Sequence, residues 1–566
     1  MTKGSNARRA ADVMVASLRA HGVDRIFCVP GESYLALLDA LHDAPDIDLV
    51  AARHEGGAGF MALADAKITG RAGVCAVSRG PGATNAAIAV HMAEQDAVPL
   101  VLLIGQVARA DLGRGAFQEI DYGQAFGAIA KGVWEVREAE RLPEVLARAF
   151  HLALSETPGP CVIALPEDML SDAVAAEVVA PLPLAQASPS ARDIEATIAL
   201  LAESERPLVI AGGRATEPAG RAALQAAAEA HDLAVALAFK RQDGFPNDHP
   251  NFAGYLGFKI PPAQVEAMAE ADLVLAVGAR LNDTTTQGYR LPRAPGPDQP
   301  LIHVHPDPGK IGAVFQTTLG LAVDPVAFLE ALAQRVPARG HQRVPARQAW
   351  LAGLSERARA LAAYIPSDPS DGVDFGAVVA AFGRSAAADA VVITDAGNFG
   401  GWVHRHWPWQ PGNLLLGLVG GAMGFGVPAA VAAALRLPGR QVLSFIGDGG
   451  MLMTGGELAT AMQAGRGRAG GGLKLIVSNN RSYGTIRLHQ ERDYPRRVSG
   501  TDLANPDFAA WARSFGAEGI VVETEAEIAA AVERTLAAEG SVVVDVRSSL
   551  EAISAYTTLA KLRGGR

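Results

Sequence analysis

The stretch "SFIGDGGMLMTGGELATAMQAG", residues 444–465, followed by "KLIVSNNRSYG", residues 474–484, decides the fold class of this chain. Residues 442–446 are apolar but for Ser444 and predict a buried parallel strand that ends in Gly447-Asp448-Gly449-Gly450, with a helix beginning near Gly455. A second apolar strand, residues 474–477, ends at Asn479-Asn480. Both polar clusters therefore lie beyond the carboxyl ends of strands, where open α/β sheets bind ligands. Mg²⁺ prefers a carboxylate, a carbonyl and phosphate oxygens, and Asp448, the amide oxygen of Asn480 and a backbone carbonyl near Ser482 can supply three oxygens. Gly447, Gly449 and Gly450 let a phosphate approach the backbone, and the following helix N-terminus favours the anion.

A GDG followed some two dozen residues later by NN resembles the diphosphate-binding motif of thiamine diphosphate (ThDP) enzymes. Here residues 450–478 intervene, a few more than in the acetolactate synthase group. The surplus falls in the loop "GRGRAGGG", residues 465–472, where added length costs little. A lone GDG is equally a tight surface turn, and the second strand with NN in register is what favours the socket.

The 566 residues allow three or four domains, and 49% hydrophobic with 19% charged residues describes a globular chain with large cores. A net charge of −10 leaves no basic footprint for nucleic acid or an anionic membrane. Cys28, Cys75 and Cys161 are the only cysteines, each in an apolar setting and none at metal-ligand spacing; they read as small buried hydrophobes in a reducing, cytoplasmic compartment. Arg8-Arg9 is followed by Asp12 without an unbroken apolar run, so no export signal is expected. Residues 407–435 carry no charge and are long enough to span a bilayer, but Pro408, Pro411, Pro428 and six glycines predict a buried, turn-rich segment entering a helix.

Strands alternate with helical stretches in three blocks, which predicts α/β architecture with three doubly wound parallel sheets. The first block, residues 1–179, carries "RIFCVPG", "IDLVAA", "GVCAVSRGPG", "PLVLLIGQ" and "PCVIALP". "APLPLAQASPS", residues 180–190, is an extended linker. The second block, residues 191–334, carries "PLVIAGG", "LAVALAF", "ADLVLAVGARLND" and "PLIHVHPDP". A second linker, "RVPARGHQRVPAR", leads to the third block, residues 371–555. This order is similar to that of ThDP enzymes, with pyrimidine-binding, central and diphosphate-binding domains.

The resemblance extends to particular residues. Arg53-His54-Glu55 is similar to the RHE segment of acetolactate synthases and related 2-oxoacid decarboxylases, which implies that Glu55 contacts the aminopyrimidine ring. ThDP reacts as a carbanion or ylid at its thiazolium carbon, and a carboxyl group on the ring supports the proton shuttle that creates it. In the bland reading Glu55 is a helix-start carboxylate favoured by the dipole. Pro81, Gly82 and Asn85 match a turn near the pyrimidine, and Phe117-Gln118-Glu119 matches the FQE segment, with Gln118 placed to donate to a developing alkoxide. Lys131 matches a family lysine or is an exposed structural one. "VPGESYLALLD" looks more like the mouth loop of the pyruvate decarboxylase group, which puts Gly31 beside the cofactor and Glu32 where an acidic catalytic residue sits, or makes Glu32 a helix cap. In the third block Gly397, Asn398 and Phe399 match a loop over the diphosphate, and Gly421 to Gly426 match the turn under the cofactor. Met423 corresponds to the apolar wedge that bends ThDP; a core methionine is the plain alternative.

Overall the resemblance is to the acetolactate synthase large-subunit group, with two departures. Thr284 follows "GARLND" where the family has an arginine for a 2-oxoacid carboxylate, and His489 replaces a substrate-gating tryptophan beside Ile486 and Phe117 in the expected substrate pocket. Arg293, Lys259 or His489 can substitute for the missing guanidinium. The group usually carries FAD in its central domain, for which Arg280 and Asp307 are the candidate contacts; an empty or vestigial cleft is the alternative, because "AFKRQDG" and "YLGFKI" depart from the covering segments. The expected activity is a ThDP- and Mg²⁺-dependent decarboxylase and carboligase acting on a 2-oxoacid. A ThDP lyase of 2-hydroxyacyl thioesters or acyloins, or a decarboxylase without ligation, stands second, and a silent regulatory protein third. A homodimer or homotetramer is expected, since family sites form between subunits.

Overall fold

The computed structural model describes residues 7–258, 260–335, 344–465 and 472–564. Lys259, residues 336–343 of the second linker and residues 466–471 of the glycine-rich loop lie outside the described residues.

Three six-stranded sheets, parallel throughout, follow one another along the chain. The first contains β1 (Arg25–Cys28), β2 (Asp48–Ala51), β3 (Gly73–Val77), β4 (Leu100–Gln106), β5 (Gly132–Glu135) and β6 (Pro160–Pro166), in spatial order 2-1-3-4-6-5. The second contains β7 (Pro207–Ala211), β8 (Ala234–Leu237), β9 (Phe252–Tyr255), β10 (Leu273–Val277), β11 (Leu301–Val304) and β12 (Leu319–Leu321), in order 9-8-7-10-11-12. The third contains β13 (Val391–Thr394), β14 (Leu414–Leu416), β15 (Val442–Gly447), β16 (Leu473–Ser478), β17 (Glu518–Val522) and β18 (Val542–Val546), in order 14-13-15-16-18-17. The outer sheets thus share one topology, and the central sheet has another. In each, strand order reverses between two neighbours, β1 and β3, β7 and β10, and β13 and β15, and the two loops leaving that point flank a crevice suited to a ligand; the outer sheets reverse again at their far edge.

The apolar runs are strands because they are buried on both faces: β4, β6 and β16 have no exposed residue. Strands β5, β9 and β12 were not read as apolar runs, the residues of β5 being only half-buried and β9 and β12 lying toward sheet edges; in the third block only β15 and β16 were read, and β13, β14, β17 and β18 come from the structure. The helix expected near Gly455 starts earlier, at Asp448, and runs to Thr454 before a short 3₁₀ turn, Gly455–Glu457, and a further helix, Leu458–Ala464. Glycines weaken helix propensity, but Asp448 in the first turn meets the positive end of the dipole and the segment packs beneath the crevice. The uncharged segment 407–435 holds β14 and the helix Gly426–Arg436, and among the described residues no helix is long and apolar enough to cross a membrane.

The N- and C-terminal domains of one chain share a core. Helix Glu55–Thr69 packs against helix Gly426–Arg436, where small residues such as Ala58, Ala62, Ala429 and Ala433 allow close approach, and Phe60 meets Phe425 edge-on at 5.9 Å between ring centres. Arg436 ties this seam with bonds to Asp24 and Asp65 of 2.7–2.9 Å.

Candidate functional site

In the C-terminal domain the loops leaving β13 and β15 flank the reversal point, and the loop leaving β16 joins them. Asp448, at the end of β15, is 3% exposed; its Oδ1 accepts from the Gly449 N–H at 2.9 Å and its Oδ2 from Asn505 Nδ2 at 2.8 Å. Asn505 also donates to Asn479 Oδ1 at 2.9 Å, and Asn479 donates to buried Asp545 at 2.8 Å, so the Asn-Asn loop is locked to the Asp448 turn. Asn480 Oδ1 accepts from the Ser482 N–H at 3.1 Å across Arg481, whose φ of +56° shapes the turn. Burial pushes the Asp448 carboxyl up to about 6 against these hydrogen bonds. No cationic side chain pairs with Asp448 among the described residues, and Ser482 Oγ and Asn505 Oδ1 are buried without partners. A desolvated carboxylate beside amide and carbonyl oxygens is the donor set that a hard divalent cation fits. No cluster of three or more His, Cys, Asp or Glu occurs among the described residues, so a cation here depends on that mixed set.

Above the turn, Phe399 lies where side chains at Gly397 and Gly447 would stand: a Cβ would come within 2.4 and 2.9 Å of its ring. The Asn398 N–H donates to Thr485 and its side chain to the Gly484 carbonyl, at 3.0 and 3.2 Å, which joins the β13 loop to the residues after Ser482. Met423 is half-buried, with its methyl 3.2 Å from the Cβ position of Gly449. Gly421, at φ +71°, faces open space. Asp395 fixes this turn: 2% exposed, it accepts from the Gly424 N–H at 3.0 Å, and Gly450 has room only for hydrogen beside it.

In the N-terminal domain Glu55 is the first residue of its helix, capped by His54, whose Nδ1 accepts from the Gly56 N–H at 3.0 Å. Asn85 donates to Glu55 Oε2 at 2.9 Å, and Gly82 lies beside Oε1. Pro81 opens the next helix, Pro81–Asp96, after Gly80, where any Cβ would meet the Gln118 carbonyl at 2.5 Å. Gln118 itself adopts φ +64°, a left-handed conformation that strains a non-glycine residue beside a site. Phe117 is 73% exposed. Glu32 is not buried: its carboxylate is 67% exposed and pairs with Arg79 at 2.9 Å, and Gly31 packs on Ser78. Lys131 is not exposed; it donates to the Ser155 and Thr157 carbonyls at 2.7 and 2.8 Å, a structural use.

Five positions escaped the sequence reading. Arg79 gathers Glu32, Glu167 and the Phe117 carbonyl. Glu457, 1% exposed, accepts from the N–H groups of Arg53 and His54 at 3.0–3.1 Å and so joins the C-terminal domain to the segment that presents Glu55. Gly57 is glycine because Glu457 lies 2.3 Å from its Cβ position. Asp395 opens "DAGNFGGW", residues 395–402, directly before the loop residues Gly397, Asn398 and Phe399, whereas Asn505, far along the chain from Asp448, left no local signal.

Ile486 and His489 lie on the helix Gly484–Asp493, exposed and half-buried respectively. Thr284 bonds weakly to Asp283 at 3.4 Å, and Arg293 is held by Asp298 at 2.6 Å. In the central domain Gly212-Gly213 after β7 and Gly278-Ala279 after β10 flank a cleft of about 90 Å³ that adjoins a larger space of about 630 Å³ toward Arg221 and Asp243. Arg280 lines the smaller space and donates to the Glu94 and Gln95 carbonyls; Asp307 instead caps Gly309 at 2.8 Å.

Two half-sites on doubly wound sheets, one offering a lone helix-start carboxylate and the other a buried, cation-free aspartate below a glycine turn, define a cofactor-dependent α/β enzyme. The chain matches the thiamine pyrophosphate enzyme family in all three of its domain models: the N-terminal TPP binding domain over residues 8–125, the central domain over 194–332 and the C-terminal TPP binding domain over 395–546. It belongs to that family and is acetolactate synthase-like. It is 33% identical over 541 residues to the acetolactate synthase large subunit of Parasynechococcus marenigrum, covering 93% of this chain and 85% of that one. It is 32% identical to the acetolactate synthase isozyme 3 large subunit of Escherichia coli over 93% and 92% of the two chains, and 30% identical to the Lactococcus lactis large subunit over 92% and 89%.

Proposed function

We propose that this chain is a ThDP- and Mg²⁺-dependent carboligase that decarboxylates a 2-oxoacid and passes the remaining acyl unit to an acceptor. The observation that carries the reading is Asp448, a buried carboxylate with no cationic partner, tied to Asn479 and hence to Asn480 and Ser482. Asp448, Asn480 and the Ser482 carbonyl would hold Mg²⁺, with Gly447, Gly449, Gly450, Gly397, Asn398 and Phe399 around the diphosphate and Gly421 and Met423 beneath the rings. Bound ThDP supplies a nucleophilic carbon that takes up the substrate carbonyl and stores the electrons left by decarboxylation. Glu55, oriented by Asn85, holds and moves the proton on the pyrimidine; Gly31, Pro81 and Asn85 shape its surroundings. Gln118, held in a strained turn, donates to the substrate oxygen, and Glu32, paired with Arg79, orients substrate at the mouth.

Leu35, Leu49, Ile88 and Phe117 of the first domain and Leu452, Met453 and Ile486 of the third are large apolar residues left exposed, which supports a homodimer or homotetramer whose partner completes the site. Mixing Glu55→Gln and Asp448→Ala chains, each inactive alone, restores part of the activity in this reading; no recovery after verified subunit exchange removes it. The three buried thiols, raised by burial to about 11 at Cys28 and about 12 at Cys161, suit a reducing cytoplasm. Of the two residues expected at FAD only Arg280 lines the central cleft, so flavin retention rests on Arg280 and the glycine turns, and a colourless gently purified protein removes it.

A further inference from the structure

A cavity of about 230 Å³ separates the central and C-terminal domains, away from Asp448 and Glu55. Its walls come from four places in the chain: Phe252 and Tyr255 of β9, Ala358 and Leu361 of the helix Val344–Ala362, the aromatic run Trp407 and Trp409, and Tyr556. Ligand cavities commonly enclose roughly 300–1,000 Å³, so this one suits a single ring with a small head.

The interior holds one cation, Arg405, whose donors are already engaged. Burial holds the imidazole of His404 uncharged, lowered to about 3. The Arg405 guanidinium is spent on the Leu361 and Ala555 carbonyls and on the face of Tyr556. Asp248 and Arg359, both exposed, stand at the rim. Two buried polar atoms of the lining residues nevertheless lack partners. Gln264, 3% exposed, donates through Nε2 to the Ala253 carbonyl at 2.6 Å and leaves Oε1 unpaired. Trp409, 4% exposed, leaves its indole N–H unpaired, whereas its neighbour Trp407 donates to Asn413. Folded chains rarely leave a buried donor and a buried acceptor unpaired, and two of complementary kind on one cavity mark a polar ligand rather than plain core.

We propose that this cavity is a second small-molecule site for a neutral single-ring aromatic compound of the carboxamide class, whose carbonyl accepts from Trp409 and whose amide N–H donates to Gln264. The ring lies among Tyr255, Trp407 and Tyr556, an aromatic stacking environment in which Arg405 already covers one face of Tyr556. Tyr556 closes one side through its hydroxyl contact with Tyr255 at 2.8 Å. It belongs to the C-terminal segment whose Ile553 and Leu559 pack on Leu488, so the site lies behind the segment that covers the helix bearing Ile486 and His489.

Benzamide is the probe, titrated calorimetrically into the ThDP-loaded full chain. One saturable site per chain is expected, with toluene, which lacks the head, at least about fivefold weaker. Trp409→Phe and Gln264→Met should each weaken benzamide by about fivefold or more, and Ala358→Leu, which fills the cavity, should abolish binding. ThDP affinity and the melting profile of all three variants should match wild type, so that loss of the site is separable from misfolding and from failure of the ThDP reading. Absence of saturable benzamide binding overturns the proposal, as does binding that survives Ala358→Leu or a crystal soak that places benzamide elsewhere.

Discussion

The crevices of the central and C-terminal domains start from the same plan and end in opposite electrostatic states. Both sheets are parallel, both reverse strand order between two central neighbours, and both place glycines on the loops that leave that point. In the central domain the acidic groups are already answered: Arg214 pairs with Asp324, Arg221 with Asp243, and Asp243 also accepts the Leu415 N–H at 2.9 Å. In the C-terminal domain Asp448 is as deeply buried as Asp324 and Asp243 but receives only amide donors. The lesson is that the α/β plan supplies the crevice, and charge balance decides whether it stands complete or awaits a cation.

The largest effect breaks the comparison at Asp448. Asp448→Ala should abolish retention of ThDP with Mg²⁺ in titration calorimetry, while the cofactor-free variant melts no lower than cofactor-free wild type, because an uncompensated buried carboxylate has gone. Wild-type-like affinity would show that the carboxylate is not the metal's anchor. Next, Glu55→Gln should bind ThDP normally yet turn over about 10²- to 10⁴-fold more slowly, since only proton transfer is lost; an unchanged rate makes Glu55 a helix-start residue and nothing more. The central domain should respond in the opposite sense. Asp243→Ala leaves the Arg221 guanidinium with only the Thr216 and Asn413 carbonyls and should lower unfolding free energy by up to about 3–5 kcal/mol in denaturant titration, with ThDP affinity unaltered in the folded fraction.

A smaller effect concerns the acceptor. Restoring a guanidinium with Thr284→Arg should raise capture of a second pyruvate by about 10- to 150-fold, the worth of a charge-assisted bond, read as acetolactate formed per carbon dioxide released. If wild type already makes acetolactate at a rate comparable to carbon dioxide release, the departure at Thr284 is harmless. The smallest effect is at Lys240, which burial lowers from 10.5 to about 8 despite Asp96 and Asp395, with Lys67 and His404 also nearby. The cationic form is the penalised one, so the cost is fully present below pH 8 and fades as pH rises toward 10.5. Lys240→Met should therefore gain most over wild type near neutrality, and the gap in unfolding free energy should narrow across that window; a pH-independent gap would argue against the buried cation.

Much of this was readable in residue order. The strands that were found are mainly apolar, dominated by Val, Leu and Ile, and a run buried on both faces declares itself without a partner. Strands β5, β9 and β12 did not, since half-buried or edge residues need no such run. Glycine in "GDGG" argued locally against helix, and packing beneath the crevice overrode it at Asp448.

The sequence by itself determined the α/β class, the three blocks, and the residue types on which the chemistry rests: Glu55 at a helix start, Asp448 beyond a strand, Asn480 beyond the next. These are properties of a chain over a few dozen residues, set by hydrophobic period and by what glycine permits. Only the tertiary structure decided which charges are answered. Asn505 reaches Asp448 across 57 positions, Glu457 reaches Arg53 across 404, and Arg436 reaches Asp24 across 412. Such pairings depend on how distant elements and, for the last two, separate domains pack, and a hydrogen bond formed across that distance leaves no periodicity in the residues between.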